Sequence, residues 1–90
     1  MKFKNKVALI TGAYQGLGKG ISKKLGEQGC KIILVDIDEK VKDTEKEFTN
    51  IGIDSISVIG DVSKESTANL AIEKGEKKYS KKYKNNHIPQ

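Results

Sequence analysis

Arginine is absent: all seventeen basic side chains are lysine, so the planar bidentate fork that reads base edges is missing. Sequence-specific recognition of nucleic acid is therefore not expected. Cysteine occurs once, at Cys30, which rules out an internal disulfide and leaves a small buried filler or, less plausibly from its place at a helix-to-strand handover, a reactive thiol. Histidine also occurs once, as His87, and no grouping of His, Cys and acids has metal-ligand spacing. No apolar run approaches the ~20 residues of a membrane helix. Met1 to Lys6 leads straight into a strand-like run instead of a signal-peptide apolar region. A cytoplasmic protein with no membrane partner is the expectation.

A chain of 90 residues allows one small domain, which at this size buries roughly 60–65% of its unfolded surface. The net charge of +5 is unevenly distributed. Residues 1–73 hold eleven lysines against eleven acids, whereas residues 74–90 hold six lysines against Glu76 alone. The division predicted is thus a neutral folded unit over 1–73 and a poorly ordered, lysine-rich tail over 74–90.

Within the first unit, Val7 to Thr11 is short, apolar and followed by glycine, as a buried parallel strand would be. Leu17, Ile21 and Leu25 then recur at helical spacing, and Gly29 supplies a stop. Gly20 and Gly26 interrupt this helix, each at a cost of about 1 kcal/mol relative to alanine unless a close backbone approach requires them. Lys31 to Val35 is a second buried strand, and Asp38 is the expected N-cap of a helix carrying Val41, Thr44, Phe48 and Ile51 on one face, with Gly52 ending it. Ser55 to Gly60 alternates serine with apolar residues, which suits an edge strand. Ser63 is the expected cap of a third helix, with the stripe Ala68, Ile72, Gly75, Tyr79 and Tyr83, trusted to about residue 73.

Three strand–helix units in series predict an α/β fold: a partial Rossmann, doubly wound unit of three parallel strands with helices, followed by the irregular basic tail. In such a sheet strands two and three both fall on one side of strand one. The other edge of the first strand then stays open, which favours self-association through that edge or a partner that covers it.

The segment Thr11-Gly12-Ala13-Tyr14-Gln15-Gly16-Leu17-Gly18 lies between the first strand and the first helix. A glycine-rich turn there lets main-chain N–H groups approach a diphosphate, and the helix N-terminus adds partial positive charge. Asp36 ends the second strand, where a carboxylate can accept a bond from an adenosine ribose hydroxyl. The plainer alternatives are an ordinary strand-to-helix turn for the glycines and a helix-start signal for Asp36.

With Asp61-Val62 after the third strand, these features stand in the order found in the short-chain dehydrogenases/reductases. Residues 5–63 resemble the NAD-dependent members of that family with a Thr-Gly-x-x-x-Gly-x-Gly loop, and the opening is distantly similar to acetoin and butanediol reductases. The resemblance implies that Gly12 makes the tight turn, Gly16 leaves room for the cofactor and Gly18 packs helix on strand. It further implies that Thr11 steadies the loop through its hydroxyl, that the N–H of Leu17 faces the diphosphate, and that Asp61 and Val62 border the adenine. Asp36 would bond the 2′-hydroxyl of NAD and repel the 2′-phosphate of NADP, so NAD is the expected cofactor.

Past residue 63 the family pattern stops. The Asn-Asn-Ala-Gly segment, the catalytic serine and Tyr-x-x-x-Lys are not found: Asn85-Asn86 is followed by His87-Ile88, and Tyr79 is followed four positions on by Tyr83. Carbonyl reduction needs a placed proton donor, so no catalytic residue is assigned and the isolated chain is expected to be inactive. Two function classes stay open. One is the amino-terminal, NAD(H)-binding portion of an oxidoreductase acting on a small secondary alcohol or ketone; the other is a non-catalytic nucleotide-binding or protein-interaction module.

Overall fold

The computed structural model describes residues 2–79. The elements run β1 (Val7–Thr11), α1 (Gly16–Glu27), β2 (Lys31–Asp36), α2 (Val41–Asn50), β3 (Ser55–Ile59) and α3 (Glu65–Tyr79). The sheet is parallel in the order β1-β2-β3, as the strand–helix alternation implies. The register aligns Leu9 with Ile33 and Thr11 with Val35, and sets Asp36 against Ile59. The strand ends that follow Thr11, Asp36 and Ile59 therefore converge at one rim.

β2 alternates its apolar side chains between two cores. Ile32 and Leu34 join Ala13, Cys30, Val41, Phe48 and Ile53 on the face under α1 and α2. Ile33 and Val35 join Val58 and Ala71 on the face under α3. Both faces of β2 are thus covered, as continuous apolar character demands. β1 has the same character, yet Val7 and Leu9 are each 42% exposed, because α3 packs mainly on β2 and β3.

The helices dock differently from what apolar periodicity predicts. On α1 the buried side chain is Ser22, while Leu17 is 81% exposed, Ile21 is exposed and Leu25 is half-buried against the core. The face that meets the sheet is Gly18, Ser22 and Gly26: a Cβ at Gly18 would fall 2.2 Å from the Gly12 carbonyl oxygen, and one at Gly26 would fall 2.5 Å from Ile53 Cγ2. Gly26 is therefore explained by close approach. Gly20 meets nothing within 4 Å, so its helix-propensity cost is uncompensated by packing.

α3 repeats this arrangement on the other face. Its buried positions are Thr67, Ala71 and Gly75, one residue out of step with the expected Ala68 and Ile72, and Ile72 is exposed. The helix runs past residue 73, and it packs tightly on the sheet there: a Cβ at Gly75 would sit 2.4 Å from Ile33 Cδ1. Tyr79 then anchors its end, its hydroxyl donating to Asp54 Oδ1 at 3.2 Å beside the Lys78–Asp54 ion pair at 3.1 Å. The expected boundary between a unit over 1–73 and a tail over 74–90 falls inside α3. Tyr83, His87 and the rest of 80–90 lie outside the described residues.

Two helix starts also differ from expectation. Lys40, not Asp38, occupies the N-cap of α2, and Asp38 acts two residues earlier by accepting the Lys40 N–H at 2.9 Å. Ser63 does not cap α3 with its hydroxyl, which donates to Asp61 Oδ1 at 2.7 Å. In α2 the expected face holds for Val41, Thr44 and Phe48. Ile51 lies one residue beyond the helix and is exposed, and Ile53 fills the core in its place.

Candidate functional site

The glycine loop leaves β1 at Thr11, which is exposed, and turns through Gly12 at φ +63. Ala13 is fully buried and donates its N–H to the Val35 carbonyl at 3.2 Å, which pins the loop to the end of β2. Gln15 is extended, with φ −153 and ψ 178, and supplies no side-chain cap to α1. Gly16 returns to φ +63 and begins the helix. Both glycines hold a left-handed backbone that a side chain would strain. The first turn of α1 contains no acid and its N-cap supplies no side-chain bond, so the helix itself offers no carboxylate to its leading N–H groups.

Asp36 closes β2 and is used three times. Its Oδ2 accepts the N–H of Tyr14 at 2.9 Å, its Oδ1 accepts the N–H of Asp38 at 3.0 Å, and its main-chain carbonyl accepts the N–H of Gly60 at 2.9 Å. One residue thereby joins the glycine loop, the approach to α2 and the exit of β3. The Tyr14 carbonyl in turn accepts the Thr44 hydroxyl at 2.9 Å.

After β3, Asp61 Oδ1 accepts both the N–H and the hydroxyl of Ser63, at 2.9 and 2.7 Å. These bonds, the hydroxyl's first and the amide's second, hold the Asp61 carboxyl below its usual range. Asp61 thus stands at the rim as an anchored acceptor, with Val62 exposed beside it.

A cleft of about 220 Å³ opens among these parts, lined by Gly12, Val35, Asp36, Ile37, Gly60, Asp61 and Val62. The structure thus brings Gly12, Asp36, Asp61 and Val62 to one cavity and places Thr11, Gly16, Leu17 and Gly18 on the loop and helix start beside it. Periodicity placed Thr44 on the buried face of α2 but gave its hydroxyl no role, and it did not single out Tyr14. The usable signal was a lone hydroxyl, Thr44, on the otherwise apolar face of α2.

Other reactive groups lie elsewhere. Burial pushes the Cys30 thiol pKa up, which suits a filler and not a nucleophile. The Tyr79 phenol is also pushed up, first by burial and then by the charge of Asp54 and the bond to it. It sits beyond the start of β3, whereas Asp61 follows the end. Among the described residues no group of three or more His, Cys, Asp or Glu is placed to hold a metal ion, and no helix is long and apolar enough to cross a membrane.

The family model for short chain dehydrogenase matches residues 6–82. A diacetyl reductase, (S)-acetoin forming, of Staphylococcus epidermidis is 48% identical over 67% of this chain and 24% of its own length. A CLA biosynthesis dehydrogenase/reductase of Lactiplantibacillus plantarum is 36% identical over 88% of this chain and 28% of its own. The chain spans about a quarter of the length of these curated relatives. Among solved structures, a short chain dehydrogenase/reductase from Burkholderia phymatum in complex with NAD superposes with TM-score 0.83 at 30% identity, covering 90% of this chain and 29% of that one. A metagenomic short-chain oxidoreductase in complex with NADP gives TM-score 0.77 at 27% identity, covering 89% and 37%.

Proposed function

The protein belongs to the short chain dehydrogenase family, and from that premise we propose that its residues form the dinucleotide-binding, amino-terminal portion of an oxidoreductase acting on a small secondary alcohol or ketone. The observation that carries this is the meeting of Gly12, Asp36, Asp61 and Val62 around one cleft, beside a glycine loop that opens onto an uncapped helix N-terminus. The cleft's 220 Å³ suits the nucleoside end of a dinucleotide better than the whole molecule, given the ~300–1,000 Å³ of typical small-molecule sites.

In this reading Gly12 makes the turn, Gly16 leaves space for the cofactor, Gly18 brings α1 against the loop and Thr11 steadies the loop through its hydroxyl. The N–H of Leu17 faces a diphosphate oxygen, where the helix terminus adds favourable charge. Val62 lies against the adenine ring, and Asp61 accepts the exocyclic amine on Oδ2, since Oδ1 is engaged by Ser63. Asp36 accepts the ribose 2′-hydroxyl on remaining lone pairs and repels a 2′-phosphate, which makes NAD the preferred cofactor. A bound nicotinamide dinucleotide supplies or takes the hydride. The proton donor that such chemistry needs is not assigned to any residue here, so binding without turnover is the behaviour proposed for the isolated chain, in a cytoplasmic setting.

Isothermal titration of the 90-residue chain with NAD and with NADP, before and after Asp36→Ala, tests the reading. The ratio of the two affinities is the readout, because loosening of the loop affects both cofactors alike. The proposed role requires the preference for NAD to fall by about tenfold, the order of one charge-assisted contact. An unchanged ratio removes Asp36 from cofactor selection.

A second reading is favoured by one observation, the open edge of β1 at the end of the sheet order, where Val7 and Leu9 are also exposed. An unpaired apolar strand edge recruits another chain, so a non-catalytic module that pairs with a second copy through β1 is the alternative. Sedimentation that stays monomeric over a wide concentration range removes it.

A further inference from the structure

We infer that Thr44 and Asp36 together act as positioning residues for the diphosphate-binding loop, by clamping the peptide units on both sides of Tyr14; this rests on the nucleotide-binding reading above. The clamp has two jaws on different elements. Asp36 Oδ2, at the end of β2, accepts the Tyr14 N–H at 2.9 Å. The Thr44 hydroxyl, 30 residues away in sequence on α2, donates to the Tyr14 carbonyl at 2.9 Å. Thr44 is 2% exposed, so its hydroxyl is committed to this bond.

The position of the clamp gives it its role. The fully buried Ala13 is already fixed to Val35, and directly after Tyr14 the loop becomes an exposed arc through Gln15, Gly16 and Leu17. The carbonyl of Tyr14 belongs to the same planar peptide as the N–H of Gln15. Holding that carbonyl therefore sets the direction of the first amide of the arc and the start of the two that follow. Gly16 has a permissive backbone, so without the tether the arc samples many orientations, and a diphosphate must select one of them at its own expense.

Asp36 consequently performs two tasks, sugar selection and loop orientation, whereas Thr44 performs the second alone and touches neither sugar nor base. Thr44→Val keeps the shape and removes the donor; Thr44→Ser restores it. Titration of the full chain with ADP, NAD and adenosine, together with amide hydrogen exchange at Tyr14, separates the possibilities. For Thr44→Val, affinity for ADP and NAD should fall about fivefold, the scale of one neutral hydrogen bond. Adenosine affinity should hold, Tyr14 exchange should quicken, β2 amides should stay protected, and Thr44→Ser should recover the parent behaviour.

Unchanged ADP affinity and unchanged Tyr14 exchange in Thr44→Val overturn the clamp. Equal losses for ADP and adenosine with faster exchange throughout β2 also overturn it, since Thr44 is then a general core residue. If the parent chain binds neither ADP nor NAD yet Thr44→Val still speeds Tyr14 exchange, the clamp stands as a loop tether and the nucleotide reading falls.

Discussion

β1 and β2 are neighbours of similar apolar content, Val7–Thr11 against Lys31–Asp36, with opposite surroundings. β2 has a strand on each side and helices on both faces, and its four central residues, Ile32 to Val35, are all buried. β1 has one strand neighbour and one helical face, and along it half-buried and exposed residues alternate. Apolar composition thus reports the environment for which a strand is suited, while burial reports what this chain supplies. β1 is suited to a neighbour and a covering layer that residues 2–79 do not provide.

The contrast is open to direct attack, most strongly at paired leucines. Leu34→Ala empties a fully buried site and should cost about 2–5 kcal/mol, a large part of what a chain this small can hold. Leu9→Ala, on the exposed flank, should cost under about 1.5 kcal/mol. Urea titrations of both variants make the comparison. Equal losses would mean that the flank of β1 is covered in solution, for instance by a second copy.

A smaller effect is expected at Gly20, on the outer side of the helix that overlies β1 and β2 and with open space around it. Gly20→Ala should stabilise the chain by up to about 1 kcal/mol, through backbone entropy alone. Thermal unfolding reads it as a raised midpoint. A lowered midpoint would show that the space beside Gly20 is taken in solution.

The smallest effect concerns the covered half of the sheet. The Tyr79 phenol at the end of α3 has its pKa raised by burial and by Asp54. Its contribution to folding is therefore complete below about pH 10, where the unfolded phenol begins to ionise, and is lost as pH climbs toward the higher folded value. Tyr79→Phe should flatten the fall in stability above that pH and leave its shape near neutrality unchanged. All other groups are common to both proteins, so the difference curve is the measurement. A parallel fall in both would detach Tyr79 from the docking of α3.

Much of this molecule was legible because its strands are short apolar runs punctuated by glycine and acids. The cleft was legible for the same reason: Asp36 ends a strand, Gly12, Asp61 and Val62 follow strand ends, and a parallel sheet gathers those ends at one rim. The helix faces were not, because α1 and α3 dock through Gly18, Ser22 and Gly26 and through Thr67, Ala71 and Gly75. The expected α3 stripe did contain Gly75, which is buried, but apolar spacing gives no weight to residues whose contribution is the absence of bulk, and it favours Leu17 and Ile72, which are exposed. Tyr14 was missed because it works through its main chain, and the hydroxyl it meets lies 30 positions away.

Asp36 is a junction, and in the proposed function a selector as well. Its carboxylate carries Tyr14 and Asp38 while its carbonyl carries Gly60, so three separate stretches of polypeptide are registered to one side chain and its own peptide. A lineage that exchanged this acid to accept a different sugar would also unfasten two turns at the same stroke. On the proposed role, a changed sugar preference is therefore hard to reach here by isolated substitution: a new residue at 36 has to arrive with replacements that refasten Tyr14 and Asp38.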